Sequence, residues 1–181
     1  EGTIEDNIDE TIEAFEELKR AGVFRCYGIS SMRPNVVREY VRRSGIASVM
    51  LPYSALDRRA EEELLPLLAE RGIAAIVRGP LAKGALASGR GNVGPFQDYS
   101  EEEVRAVRAR LKEMEREGRG TTQLALRFAL SPPAVAAAVP GASSIAQLRD
   151  NVRVAHAEPL TEEEIARIRS FTDRKSTRLN S

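Results

Sequence analysis

Cysteine, histidine and tryptophan are nearly missing from this sequence of 181 residues, which contains one cysteine, one histidine and no tryptophan. With Cys26 alone, an internal disulfide and a cysteine-rich metal site are excluded, and the usage fits a reducing, cytoplasmic location. His156 lacks the partners that a zinc site needs. We therefore expect no bound metal and no acid or base role for this histidine.

An excess of either charge is also lacking, because Lys plus Arg and Asp plus Glu both number 27. Without a basic excess, nucleic acid is not an expected partner. No apolar run approaches the roughly 20 residues of a membrane-spanning helix, and the first residues lack the pattern of a signal peptide. The hydrophobic share of 42% and the charged share of 30% are ordinary for one soluble domain.

Amphipathic helical patterns alternate with short apolar runs along the chain. Apolar residues at three- and four-residue steps predict the first helix, from Ile4 to Leu18, and Gly22 ends it. Further helices are predicted over residues 34–44, 58–71, 104–114, 124–130, 144–155 and 161–171, with Pro34 in the first turn of the second and an interruption at Pro66 in the third. The apolar residues Ile145, Leu148 and Val152 of the helix over residues 144–155 are predicted to point inward. Buried strands are predicted over residues 24–29, 46–51, 73–77 and 134–139, and one long loop over residues 86–100.

Short apolar strands that are each followed by a helix indicate an α/β fold with parallel strands covered by helices. An open doubly wound sheet that binds a dinucleotide is disfavoured, because no Gly-x-Gly-x-x-Gly turn follows a strand. A (β/α)8 TIM barrel fits the pattern better. Such a barrel needs about 250 residues, so four strands predict a fragment with about four βα units and two unpaired sheet edges.

Ligands of such sheets bind at the loops that follow the carboxyl ends of the strands. In the loop after the last strand, Gly141 allows a close backbone approach, and Ser143 or Ser144 can cap the next helix. Free N–H groups at that helix start form a potential phosphate site, although an ordinary serine-capped helix explains the same pattern. Gln147, Asp150 and Asn151 are spaced to face one ligand from that helix.

Three segments together resemble the aldo-keto reductase family over about residues 1–172: GTIEDNIDETIEAFEELKRAGVFRCYGISSM, RGPLAKGAL and VPGASSIAQLRDNV. The resemblance implies that the chain is the C-terminal half of that family's barrel. It also implies that the first segment contacts the nicotinamide carboxamide, the second the cofactor pyrophosphate, and the third the adenosine 2'-phosphate and the adenine. The residues it implicates in cofactor binding are Ser30, Ser31, Arg78, Gly79, Leu81, Ala82, Lys83, Gly141, Ser143, Gln147, Asp150 and Asn151.

The sequence also departs from the family pattern. Met50 replaces a glutamine that many members place against the nicotinamide, and Arg78 replaces an aromatic ring that often stacks on it, although a guanidinium can also stack on a flat ring. Gly141 and Gln147 stand where some branches use Lys and Arg on the 2'-phosphate. The Ser and Gln pattern resembles a branch that uses NADP, so NADP is the expected cofactor and NAD the alternative.

The family's catalytic Asp, Tyr, Lys and His belong to the first half of its barrel, and no residue of this chain matches them. The resemblance implies that a full-length parent reduces aldehydes or ketones, or oxidises the alcohols, while this chain alone does not turn over substrate. Two other functions stay open: a cofactor-sensing regulatory subunit like the potassium-channel beta subunits, and another phosphate-binding barrel enzyme. Substrate and oligomeric state are not predictable from this half.

The two ends of the chain also suggest a fragment. Residue 1 is Glu rather than Met, and the chain begins directly at a helix. The last nine residues, 173–181, have the sequence DRKSTRLNS, which resembles a translated sequencing adapter. We expect them to lie outside the folded domain, either as an artefact or as a disordered tail.

Overall fold

The protein forms a four-stranded parallel sheet covered by helices, in a computed structural model that describes residues 8–89 and 94–173. The strands are β1 (Gly28–Ser30), β2 (Ser48–Pro52), β3 (Ala74–Arg78) and β4 (Val135–Val139). They lie in the order β1-β2-β3-β4, and every neighbouring pair is parallel. The prediction of an α/β fold with four parallel strands is confirmed, and all four carboxyl ends meet at one rim of the sheet.

Seven α-helices fill the connections of the described residues. They are α1 (Ile8–Arg20), α2 (Pro34–Arg43), α3 (Leu64–Arg71), α4 (Glu101–Lys112), α5 (Thr121–Ala129), α6 (Ile145–Val152) and α7 (Glu162–Thr172). Short 3-10 turns cover Arg59–Glu61, Ala82–Gly84 and Arg153–His156. No described helix has the length and apolar character needed to cross a membrane.

The core lies between the sheet and its helices. Val49 and Leu51 of β2 and Val77 of β3 are fully buried, whereas Met50 and Ile76, which alternate with them, are only partly buried. Alternate side chains of a strand point to opposite faces, so the helix-covered face carries the core. Phe128 of α5 is also fully buried within this core.

Two predicted elements have different bounds in the structure. The first strand is shorter than residues 24–29, because Phe24 and Tyr27 pack with Phe15 of α1 in an aromatic cluster with centroid distances of 5.2–6.1 Å. The third helix begins at Leu64 after a separate 3-10 turn, which places Pro66 in its first turn, where proline is tolerated.

The predicted burial of β4 and of the apolar side of α6 is wrong. In β4, Val139 is 51% exposed, and in α6 Ile145, Leu148 and Val152 are 71%, 54% and 57% exposed. The reason is that β4 is an outer strand of the sheet, and no further strand of the described residues pairs with its free edge. The apolar side of α6 therefore has no strand beyond β4 to pack against and stays exposed. Within the residues that the structure describes, β1 and β4 are the two outer strands of the sheet, in agreement with the two unpaired edges that were predicted.

Candidate functional site

A groove of about 400 Å³ opens at the carboxyl ends of β3 and β4. Its volume falls within the range of small-molecule sites. One wall is the loop after β3, from Gly79 to Ser88, and the other is the loop and helix after β4, from Gly141 to Asn151. Eight of the twelve residues that sequence implicated in cofactor binding line it: Gly79, Leu81, Lys83, Gly141, Ser143, Gln147, Asp150 and Asn151.

The start of α6 forms one end of this groove. Ser144 is the N-cap, and its hydroxyl oxygen accepts a hydrogen bond from the Gln147 N–H at 3.2 Å. The Gln147 Oε1 accepts hydrogen bonds from the Ser143 N–H at 2.7 Å and from its hydroxyl at 3.0 Å. Both Ser143 donors therefore point at one acceptor oxygen, and an anion at this position would meet the same donors and the positive end of the helix dipole.

The loop after β3 has an unusual backbone. Gly79 has φ +66°, and Ala82 and Lys83 follow with φ +48° and +55°. The left-handed region is disfavoured for residues with a Cβ, at roughly 1–2 kcal/mol each. Such strain persists where the surrounding structure holds it and is concentrated at functional loops. Ala82 itself is buried and does not line the groove, whereas Lys83 is exposed and lines it.

The groove wall formed by α6 is held from behind. Asn151 is buried, and its side-chain amide donates to the Gly141 carbonyl at 3.3 Å, so the loop and the helix brace each other. The Asp150 carboxylate accepts a hydrogen bond from Gln123 of α5 at 3.1 Å. The polar residues of this wall are therefore fixed by hydrogen bonds.

The predicted nicotinamide residues lie outside the groove, along the same rim. Ser30 ends β1 and is exposed, while Ser31 is buried, with its N–H donating to the Met50 carbonyl at 3.1 Å. Arg78 is the exposed last residue of β3 and directly precedes the groove wall at Gly79. The twelve residues therefore lie at the ends of three strands, β1, β3 and β4. Strand β2 separates the end of β1 from the groove at β3 and β4.

Three of the four tyrosines make structural hydrogen bonds. The Tyr53 hydroxyl donates to Glu61 at 2.5 Å, that of Tyr27 to Glu16 at 2.6 Å, and that of Tyr99 to the Thr172 carbonyl at 2.8 Å. Burial, together with the Glu61 carboxylate, raises the pKa of Tyr53 well above its ordinary value. The Tyr53 hydroxyl therefore stays protonated near neutral pH, and its hydrogen is engaged by Glu61.

His156 is exposed in the 3-10 turn that follows α6. Among residues 8–89 and 94–173, no group of three or more His, Cys, Asp or Glu is arranged to hold a metal ion.

Sequence reasoning missed the residues behind the groove, in the first turn of α5. Thr122 and Gln123 are buried, and they bond to Ser88 on one wall and to Asp150 on the other. The only available signal was the run of polar residues Thr121, Thr122 and Gln123 before an apolar helix, which is also the pattern of an ordinary helix start.

The fold and groove define a class of protein: a partial α/β barrel with a ligand groove at the carboxyl ends of its parallel strands. Comparison with known proteins makes this more specific. The model of the Aldo/keto reductase family matches residues 3–173, and the chain belongs to this family.

Similar proteins extend well beyond the length of this chain. An "Uncharacterized oxidoreductase YqkF" of Bacillus subtilis is 50% identical over 178 residues, which cover 94% of this chain and 58% of that protein. The aldo-keto reductase AKR11C1 from Bacillus halodurans, solved in apo and holo forms, is 47% identical to this chain, with a TM-score of 0.86. The match to the apo form covers 95% of this chain and 59% of AKR11C1. The chain therefore spans about three fifths of the length of these relatives.

Proposed function

We propose that the full-length parent is an NADP(H)-dependent, cytoplasmic oxidoreductase that reduces aldehydes or ketones to alcohols, and that this chain supplies most of its cofactor site. The observation that carries the proposal is the groove between the loop after β3 and the start of α6. Family membership supports the reaction class. The solved relative with a holo form supports the presence of a cofactor in a barrel of this shape.

In this proposal the cofactor supplies the hydride, and the residues of this chain bind and orient it. The backbone of Gly79 and Leu81, together with the Lys83 ammonium, would hold the pyrophosphate. Ser143 and Gln147 would hold the 2'-phosphate at the start of α6, and the face with Asp150 and Asn151 would hold the adenine. Ser30, Ser31 and Arg78 would orient the nicotinamide at the other strand ends. The fit is supported by the open backbone at Gly79 and Gly141, where an added Cβ would meet no atom within 4 Å.

The choice of NADP over NAD depends on the charge at the adenosine end. Asp150 lines the groove, and a free carboxylate there would favour the ribose 2'-hydroxyl of NAD over a phosphate. However, Gln123 donates to both the carboxylate and the backbone carbonyl of Asp150, which holds the carboxylate at the back of the wall. The Ser143 donors at the start of α6 would then be available to a phosphate, and this arrangement supports NADP.

The cofactor proposal is tested by calorimetric titration of the 181-residue chain with NADPH and with NADH. We expect tighter binding of NADPH, and we expect Gln147→Ala to weaken NADPH more than NADH. The matched control is Leu148→Ala, which removes an exposed neighbouring side chain that does not line the groove. Equal affinity for the two cofactors, or an equal effect of both substitutions, would contradict the NADP assignment.

The reaction is tested with a chimera that joins the part of the Bacillus subtilis relative that this chain does not span to residues 1–172. We expect carbonyl-dependent oxidation of NADPH by the chimera and none by this chain alone, because the proton donor that the family uses is missing here. A folded chimera that binds NADPH but reduces no aldehyde or ketone would refute the enzyme proposal and favour a cofactor-sensing role.

A further inference from the structure

The first turn of α5 lies behind the groove and contacts both of its walls. Thr121, Thr122 and Gln123 are 6%, 1% and 4% exposed, so all three side chains are buried. None of them lines the groove. Thr122 and Gln123 are adjacent in sequence, yet they bond to segments that are more than 50 residues apart, Ser88 and Asp150.

Thr122 holds the wall that follows β3. The Ser88 N–H donates to the Thr122 hydroxyl oxygen at 2.8 Å, and the Thr122 N–H donates to the Ser88 hydroxyl oxygen at 3.2 Å. The two hydroxyl oxygens are themselves 3.0 Å apart. Three reciprocal contacts between two residues fix both the position and the direction of the loop where it leaves the groove. Arg108 of α4 adds one contact to this loop, donating to the Ala87 carbonyl at 3.3 Å.

Gln123 holds the opposite wall. Its Nε2 donates to the Asp150 backbone carbonyl at 2.7 Å and to the Asp150 carboxylate at 3.1 Å, while its Oε1 accepts from the Gly120 N–H at 3.1 Å. The amide therefore bridges the start of α5 and the last turn of α6. Because the Gln123 side chain is buried, its hydrogen bonds are costly to leave unmade, and α6 has one preferred position relative to α5.

We propose that Thr122 and Gln123 are positioning residues that set the separation of the two walls of the groove. The inference rests on the proposed function, since it takes the occupant of the groove to be a dinucleotide that contacts both walls at once. A ligand of that kind is sensitive to small displacements, because its two ends must fit simultaneously. A single rigid helical turn that contacts both walls provides such a fixed separation, which two independently anchored walls would not.

Three substitutions separate positioning from simple stability. Gln123→Glu keeps an oxygen to accept from the Gly120 N–H, but it loses both donors to Asp150 and places a second carboxylate beside it. Thr122→Val removes the hydroxyl at nearly constant shape. The matched control is Thr121→Val, because the Thr121 hydroxyl donates to Glu115 at 2.6 Å, a residue that is not part of either wall. Thr122→Ser restores the hydroxyl and serves as the rescue variant.

The first measurement is ligand affinity of the 181-residue chain for NADPH and for 2',5'-ADP, which carries only the adenosine end. A lost hydrogen bond corresponds to roughly a twofold to tenfold change in affinity. We expect Gln123→Glu to weaken both ligands by about fivefold or more, and Thr122→Val to weaken NADPH by a similar factor but 2',5'-ADP by less than about twofold. Thr121→Val and Thr122→Ser should bind both ligands like the unsubstituted chain.

The second measurement, amide hydrogen exchange, needs no ligand and therefore separates this inference from the cofactor proposal. Thr122→Val should speed exchange in residues 79–89, and Gln123→Glu should speed exchange in residues 141–152, while Thr121→Val should change neither. If neither ligand binds but the exchange pattern is specific to each wall, the proposal that the groove binds NADPH is overturned and the positioning role is supported. An equal exchange pattern in all three variants would overturn the positioning role, whatever the ligands do.

Discussion

Glu164→Gln should destabilise the protein more than the neutralisation of an exposed carboxylate in the described residues, because Glu164 and its partner Arg119 are both buried. Arg119 and Glu164 are only 4% and 8% exposed, and the Arg119 Nη1 donates to the Glu164 Oε2 at 3.1 Å, while a second contact joins Nη2 and Oε1. Arg116 lies 3.3 Å from the same carboxylate but is largely exposed. The pair joins the start of α7 to the segment that leads into α5.

The magnitude follows from which partner is removed. Breaking a buried ion pair by deleting one charge costs roughly 3–5 kcal/mol, since the remaining charge stays buried without a counter-ion. Glutamine still offers an oxygen to Arg119 and to the Thr161 N–H that Glu164 caps, so about 2–3 kcal/mol is expected. Glu113→Gln is the matched control: Glu113 is about half exposed, and its contacts with Arg110 and Arg167 are 3.6–3.7 Å long, so less than about 0.5 kcal/mol should be lost.

The assay is urea unfolding of a double-mutant cycle with Arg119→Met, repeated at several pH values. Burial alone raises the pKa of Glu164, but the hydrogen bonds from Arg119 and from the Thr161 N–H outweigh it, and the pKa is lowered. A carboxylate with a lowered pKa stabilises the fold fully above its unfolded-state pKa of about 4.3, and this contribution is lost as the pH falls through the folded-state value. The difference between the unsubstituted chain and Glu164→Gln should therefore shrink in acid. Additive single effects, or a difference that does not shrink as the pH falls below the unfolded-state pKa, would refute the reasoning.

Other substitutions test the core, the sheet and the strained loop, each by urea unfolding. Phe128→Ala should lose about 3–5 kcal/mol, because the ring is fully buried; a loss below about 1 kcal/mol would mean that the core repacks. Gly28→Ala should lose about 1–3 kcal/mol, since the new Cβ would overlap the hydroxyl and the backbone oxygen of Ser48. Gly141→Ala is the control: an added Cβ there meets no atom within 4 Å, so stability should not change. Ala82→Gly should leave stability unchanged or raise it by up to about 1 kcal/mol, because φ is +48° there; a clear loss would show that the left-handed backbone is not strained.

The order of elements was predictable because each signal is local. Alternating helical and apolar patterns gave four parallel strands, and Pro34 correctly marked the start of α2. The errors came from tertiary context. The apolar pattern of α6 is the same whether or not a strand covers it, so Ile145 and Leu148 read as inward although both are exposed. The split before α3 depends on where Pro66 falls relative to the first turn, which periodicity does not determine.

Most residues that line the groove were predictable, and those behind it were not. Carboxyl ends of parallel strands share a rim, so the loops at Gly79 and Gly141 had to approach each other once the strands were assigned. No comparable rule brings Thr122 to Ser88 or Gln123 to Asp150, because these contacts depend on the angle at which α5 packs beneath the rim. A polar residue at a helix start has several possible partners, and only the packed structure selects among them.

The same packing explains why a groove with so few charged residues can hold a definite shape. Its wall residues come from loops, which are usually the least stable parts of a fold. Here the two loops share one support, since Arg119 fixes the approach to α5 through Glu164, and the first turn of α5 then contacts Ser88 and Asp150. If this support is what shapes the groove, then Glu164→Gln should loosen both walls together, whereas Thr122→Val and Gln123→Glu should each loosen one. A stability loss in Glu164→Gln without faster exchange in either wall would separate the ion pair from the site.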